Sequence, residues 1–145
     1  MLLAADDCDI VTDYRMFGLV DGSSRALPAP PGKAGLSVGE TAVFLGTEDD
    51  VVRARLRVEF WAGPAPFDGR DWPRVEDVTL SLPSGRLVID QNTAGATTLA
   101  VPGGPGRYRV RLAWRELPWD AVGEGEPEAL GLAQLWPVAA TSGTG

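Results

Sequence analysis

Gly106 to Glu116 reads GRYRVRLAWRE, and its side-chain types change with a period of two. Tyr108, Val110, Leu112 and Trp114 fall on one side; Arg107, Arg109, Arg111 and Arg115 fall on the other, with Ala113 among them. Successive side chains of a strand project to opposite faces, so the alternation specifies one half-buried β-strand with an apolar floor and a basic roof. Val52 to Trp61 (VRARLRVEFW) repeats the design: Val52, Ala54, Leu56, Val58 and Phe60 inward, Arg53, Arg55, Arg57 and Glu59 outward. These two strands decide the fold class. Leu56, Val58, Phe60, Val110 and Leu112 are expected in the core, with Arg55, Arg57, Arg109 and Arg111 keeping exposed guanidinium ends, because a slip of one residue would invert every assignment.

Outward from these strands, the chain is a run of short strands separated by turn-forming segments. Ile10 to Val20, Thr41 to Gly46, Asp77 to Leu82, Arg86 to Asp90, Thr97 to Val101 and Leu130 to Trp136 carry strand patterns. Pro83-Ser84-Gly85 fits a three-residue hairpin loop with glycine at the position of positive φ, and Pro102 to Gly106 is a second tight connection. Residues 21–35 and 62–75, rich in proline and glycine, are long irregular connections. No segment sustains a helical i, i+3, i+4, i+7 pattern. The expectation is an all-β protein, an antiparallel β-sandwich of about eight short strands. An acidic arm over residues 1–9 precedes a single domain over 10–137, and residues 138–145 form a flexible tail.

Composition narrows the chemistry more than it identifies a function. The 145 residues carry a net charge of −7, which disfavours general attraction to nucleic acid or an anionic membrane. No apolar run approaches the length of a membrane span, and MLLAADDCDIV has no basic segment ahead of its short apolar run, so a cytoplasmic protein is expected. With no histidine, Ser-His-Asp and Cys-His catalysis and the usual zinc and iron sites are excluded. Cys8, the single cysteine, stands among Asp6, Asp7 and Asp9, whose charges oppose thiolate formation. Asp68 and Asp71, and the run Glu48-Asp49-Asp50, could serve carboxylate or calcium chemistry, but neither matches an ordered ligand pattern and both read as solvated turn acids. No metal and no cofactor is expected.

Two features carry the binding hypotheses. Seven of the thirteen basic residues (Arg53, Arg55, Arg57, Arg107, Arg109, Arg111, Arg115) lie on the two alternating strands. Adjacent, these strands would oppose like charges; they are therefore kept apart, or interleaved with acids such as Glu59 and Asp77, or used to hold an anionic partner. The second feature is the loop aromatics Trp61, Phe67 and Trp72, which either fold back onto the sheet or form a recognition patch.

Trp61-Ala62-Gly63-Pro64, the run from Asp71 into Pro83-Ser84-Gly85-Arg86-Leu87, the strand GPGRYRVR ending at Arg111 and the closing Gln134-Leu135-Trp136-Pro137 resemble a family of small all-β proteins from high-GC bacteria. The resemblance covers about Trp61 to Pro137; Gly131 departs from it where the family carries an aromatic. More distantly, the chain is similar in size and all-β character to the competence protein J group, which includes a nuclease inhibitor. Neither resemblance assigns a role to a residue. The expected function is a non-enzymatic, inhibitor or immunity-type domain that binds a basic protein, its candidate surface being Trp61, Phe67, Trp72, Asp68, Asp71, Arg55, Arg57, Arg109 and Arg111. The alternative is a small-ligand or carbohydrate-binding module that uses the three aromatics as a platform.

Overall fold

A computed structural model describes residues 1–12, 14–25, 27–49, 52–118, 120 and 122–138. Its strands are β1 (Leu2–Thr12), β2 (Met16–Asp21), β3 (Leu36–Val38), β4 (Ala42–Gly46), β5 (Val52–Trp61), β6 (Arg74–Leu82), β7 (Arg86–Asp90), β8 (Ala96–Ala100), β9 (Gly106–Glu116) and β10 (Ala129–Pro137). They form two five-stranded sheets, in the orders β1-β5-β10-β9-β6 and β3-β4-β2-β7-β8, called here A and B. The all-β sandwich read from the alternating strands is therefore present, with ten strands rather than about eight. All pairs are antiparallel except β5 with β10.

The two arginine strands set the inner face of sheet A as expected. Leu56, Val58, Phe60, Tyr108, Val110, Leu112 and Trp114 are all buried, and Arg55 and Arg109 are exposed. Arg57 and Arg111 are half-buried, for reasons that belong to the outer face. Sheet B contributes Phe17, Leu19, Val43, Leu45, Leu87 and Ile89 to the same core. Phe17 meets Trp114 across the sandwich, ring centroids 5.3 Å apart.

Three local expectations are corrected. Residues 1–9 are not a loose arm: from Leu2 onward they belong to β1, paired antiparallel with β5 from Leu2↔Trp61 to Thr12↔Val52. Cys8, Ile10 and Thr12 are buried, and the β5 ladder with the Asp7 and Asp9 ion pairs holds the segment despite its charge. Ile10 to Val20 is not one strand. It breaks where Tyr14 and Arg15 take φ of 55° and 60°, and this left-handed corner moves the chain from sheet A to sheet B. Pro83-Ser84-Gly85 is a tight turn with Gly85 at φ 69°, but it does not close a hairpin. β6 pairs with β9, and β7 with β2 and β8, so this turn also crosses between sheets. Local sequence gave the turn chemistry correctly; which strands pair is decided by the far side of the molecule. Residues 139–145 of the expected tail, Asp50 of the acidic turn and Val51 lie outside the described residues.

Both long connections cover a sheet. Pro28 and Pro30 of the first lie with Leu27 against Met16 and Phe44 on the outer face of sheet B. Gly18 is required there, because a Cβ would stand 2.4 Å from the Phe44 ring. The second connection spans from β5, second in sheet A, to β6 at its far edge, and so must pass over β10 and β9. No helix among the described residues is long and apolar enough to cross a membrane.

Candidate functional site

The outer face of sheet A answers the question of the arginine roof. β10 stands between β5 and β9, so the two basic strands do not touch. Most of the roof arginines also have acid partners. Arg53 pairs with Glu128 at 3.1 Å, Arg55 with Asp9 at 3.3 Å, Arg57 with Glu59 at 2.8 Å and Asp7 at 3.6 Å, and Arg111 with Asp77 at 3.6 Å. Two of these acids come from β1, directly opposite in the β1–β5 register. The N-terminal aspartates thus serve as the countercharge of the roof. Arg109 makes a long contact to Thr79, at 3.5 Å.

Over this face the 62–73 connection is strapped down by polar groups of β9 and β10. Arg111 Nη1 donates to the Ala65 carbonyl at 3.2 Å, and Gln134 Nε2 donates to the Pro66 carbonyl at 3.1 Å. The Arg111 guanidinium also lies between two rings, 4.8 Å from the Phe67 centroid and 5.0 Å from that of Trp136. Arg115 stands 6.0 Å over Trp72. Glu59 ties the network together, accepting from Arg57, from Gln134 at 2.9 Å and from Trp61 Nε1 at 3.0 Å. Burial alone would raise the Glu59 carboxyl. The hydrogen bonds from Arg57, Gln134 and Trp61, with the Arg57 charge, outweigh it and hold the group below the usual carboxylate range.

Of the candidate residues, then, Trp61, Phe67, Trp72, Arg55, Arg57, Arg109 and Arg111 share one face. Asp68 and Asp71 do not join them: they sit on an exposed turn, Gly69–Asp71, where Asp68 caps Arg70 N–H at 3.1 Å and pairs with the Arg70 side chain. The aromatics fold back onto the sheet. Trp72 lines a groove of about 270 Å³ shared with Arg55 and Arg57 over Leu130 and Leu132, and all three rings stay half-buried. Gln134 and Trp136 were not among the expected residues. Period-two alternation places both on β10, but nothing local says that the strap returns above them.

A second feature lies at one end of the sandwich. Asp49 from the β4–β5 turn, Glu116 from the end of β9, and Glu124 and Glu128 from the β9–β10 connection border a cleft of about 380 Å³. Val52, Leu117 and Val122 supply its apolar wall, and among the described residues Arg53 is its one basic lining residue. Sequence separates these acids by up to 79 positions (128 − 49), which is why they read as unrelated clusters. They do not converge to metal-binding distance: among the described residues no three of His, Cys, Asp or Glu do. Burial first and then the charges of Asp6, Asp7 and Asp9 raise the Cys8 thiol, which disfavours the thiolate.

No protein-family model and no curated protein sequence matches the chain. Two solved structures are similar to it. One is ComJ, inhibitor of the DNA degrading activity of NucA, from Bacillus subtilis, at 10% identity and a TM-score of 0.63, with 95% of this chain and 98% of that chain covered. The other is described as crocagin biosynthetic gene J, at 22% identity and a TM-score of 0.62, with 94% of this chain and 100% of that chain covered. At these identities the likeness is one of fold: the chain has the sandwich of the ComJ structure over nearly its whole length.

Proposed function

We propose that this chain is a non-enzymatic, inhibitor-type domain that binds a basic protein. One observation carries the reading: acids from three separate segments line a single cleft that among the described residues has one basic residue, Arg53, already paired with Glu128. Such a cleft attracts cations over distance, and its apolar wall suits the stem of a lysine or arginine side chain. The likeness to ComJ supports a protein partner and makes small basic nucleases the first class to try. The test is inhibition of DNA degradation by such nucleases at stoichiometric amounts of this protein, repeated with Asp49→Asn/Glu116→Gln/Glu124→Gln. Inhibition that the triple substitution weakens is expected. If no basic protein is bound and none inhibited, the reading is wrong.

A second reading, a small-ligand or carbohydrate module, has one observation in its favour: Trp72 walls an apolar groove. It is the weaker, because Trp61 gives its N–H to Glu59 and Phe67 stacks on Arg111, so two of the three rings are already engaged. Saturable quenching of tryptophan fluorescence by oligosaccharides would favour it.

A further inference from the structure

Of the four edge strands, β1 is the longest. Sheet B ends in β3, with three residues, and β8, with five; edges this short offer little to pair with. β6, with nine residues, is covered at its Ser81 end. Ser81 N–H donates to the Glu40 carbonyl at 2.8 Å, and Arg74 reaches the carbonyls of Gly46 at 2.6 Å and Gly35 at 2.7 Å. β1 has 11 residues, and among the described residues no hydrogen bond from outside the β5 ladder reaches the backbone of residues 4–9.

The phase of that edge can be read from two hydrogen bonds. Glu128 N–H donates to the Arg53 carbonyl at 2.7 Å, so the backbone of Arg53 faces β10. Val11, opposite Arg53, correspondingly donates its N–H to Gln91 Oε1 at 2.9 Å and not to β5. Backbone groups alternate sides along an antiparallel strand, so Ala5, Asp7 and Asp9 share the phase of Val11. Their N–H and C=O groups point outward at two-residue spacing, a ladder ready for another strand.

We infer that this edge of β1 docks an extended, lysine- or arginine-bearing segment of a protein partner, as a sixth strand of sheet A. Backbone pairing supplies the affinity and alternate side chains the selectivity. The charge decides the occupant. Asp7 and Asp9 are 57% and 85% exposed even while paired with Arg57 and Arg55, so each keeps oxygens free for a second cation. Asp6 adds an exposed carboxylate on the other face of the strand. A second copy of this chain does not fit. The self-pairing register that engages all three open residues centres on Asp7 and sets it against its own copy, and like charges directly opposite destabilise a strand pair. The inference rests on the basic-partner reading above and adds where the partner's chain lies.

The test uses three capped nine-residue peptides with the full chain: one alternating lysine and threonine, its glutamate–threonine counterpart, and the lysine peptide N-methylated at alternate amides. Hydrogen exchange at the amides of Ala5, Asp7 and Asp9 is expected to slow about tenfold with the lysine peptide and not with the other two. Ala5→Pro removes one outward N–H, which an edge strand tolerates, and should weaken binding about tenfold at an unchanged melting temperature. The N-methylated peptide gives the same loss without touching the fold, so a misfolded variant would not decide the matter. Binding of the lysine peptide with protection at residues 116–128 in place of β1 would sink the edge and leave the basic-partner reading standing. Equal binding of the glutamate peptide would sink both, and no binding of the lysine peptide would sink the edge.

Discussion

The guanidinium of Arg111 stands 4.8 Å from the centroid of the Phe67 ring, and this contact joins β9 to the connection that crosses it. With Trp136 on its other side and the Ala65 carbonyl at 3.2 Å, Arg111 fixes the strap by its planar shape as much as by its charge. Arg111→Lys keeps the charge but cannot stack and donate in the same plane. It is expected to cost about 1–2 kcal/mol, the size of a partly desolvated cation–π contact. Urea melts with limited proteolysis of residues 62–73 measure it; a strap no more cleavable than in the parent would refute the role.

Val110→Ala removes two methyl groups from a fully enclosed position, Val110 being 1% exposed. A loss of about 2 kcal/mol is expected, scaled down from larger aliphatic truncations. Arg109, exposed on the same strand, should tolerate alanine with little change. Denaturant melts that rank the two substitutions the other way would overturn the strand's orientation.

Gly131 is set by packing. A Cβ there would stand 2.8 Å from Leu56 Cδ1 and 3.1 Å from Trp114 Cε3, both core side chains. Gly131→Ala should therefore destabilise by about 1–3 kcal/mol, although alanine suits a strand better than glycine does. A thermal midpoint unchanged or raised would show that Trp114 moves aside freely.

How far the sequence carried the fold can be followed along these residues. The faces of β5 and β9 were legible because one side is core and the other water, and alternation records that directly. Strand partners were not. Asp7 reads as part of a loose acidic arm until β1 is laid against β5, where the register puts it opposite Arg57. Ser84 reads as a hairpin loop until Asp21, 63 positions earlier, is found to accept from its N–H at 3.0 Å and its hydroxyl at 2.7 Å. The strap aromatics were legible as a group with two possible placements, and the choice of the inward one depends on Arg111 and Gln134 beneath.

Asp21 makes stability depend on acid. Burial would raise its carboxyl, but hydrogen bonds from the side chains and backbones of Ser23 and Ser84 bring it below the usual value. A folded-state value below the unfolded one, about 3.9 for Asp, gives stability that is complete above that pH and lost as pH falls through the folded value. Glu59 acts in the same sense. Asp21→Asn should lower stability at neutral pH by about 1–3 kcal/mol, as buried donors lose a charged acceptor, and should flatten the fall below about pH 4. Denaturant melts between about pH 2 and pH 7 test this; an acid limb of unchanged steepness would exclude Asp21 as a source.

The acids at the cleft can be separated from those of the roof by what neutralising each leaves behind. Asp7, Asp9 and Glu128 each hold a roof arginine, so converting them to amides leaves Arg57, Arg55 and Arg53 short of a countercharge. Among the described residues Asp49, Glu116 and Glu124 pair with no roof arginine, and their amides are expected to change the long-range field with little change to the fold. If a basic partner is drawn in by that field, the triple amide variant should associate several-fold more slowly and dissociate at nearly the parent rate. The difference should shrink as salt rises, because screening shortens to about 8 Å at physiological ionic strength. Trp72→Ala should act on the other rate, raising dissociation if the groove beside Arg55 and Arg57 is part of the contact. Stopped-flow association with an inhibited basic nuclease, at low and physiological salt, reads both. An association rate indifferent to salt and to the three amides would remove the cleft from the binding surface.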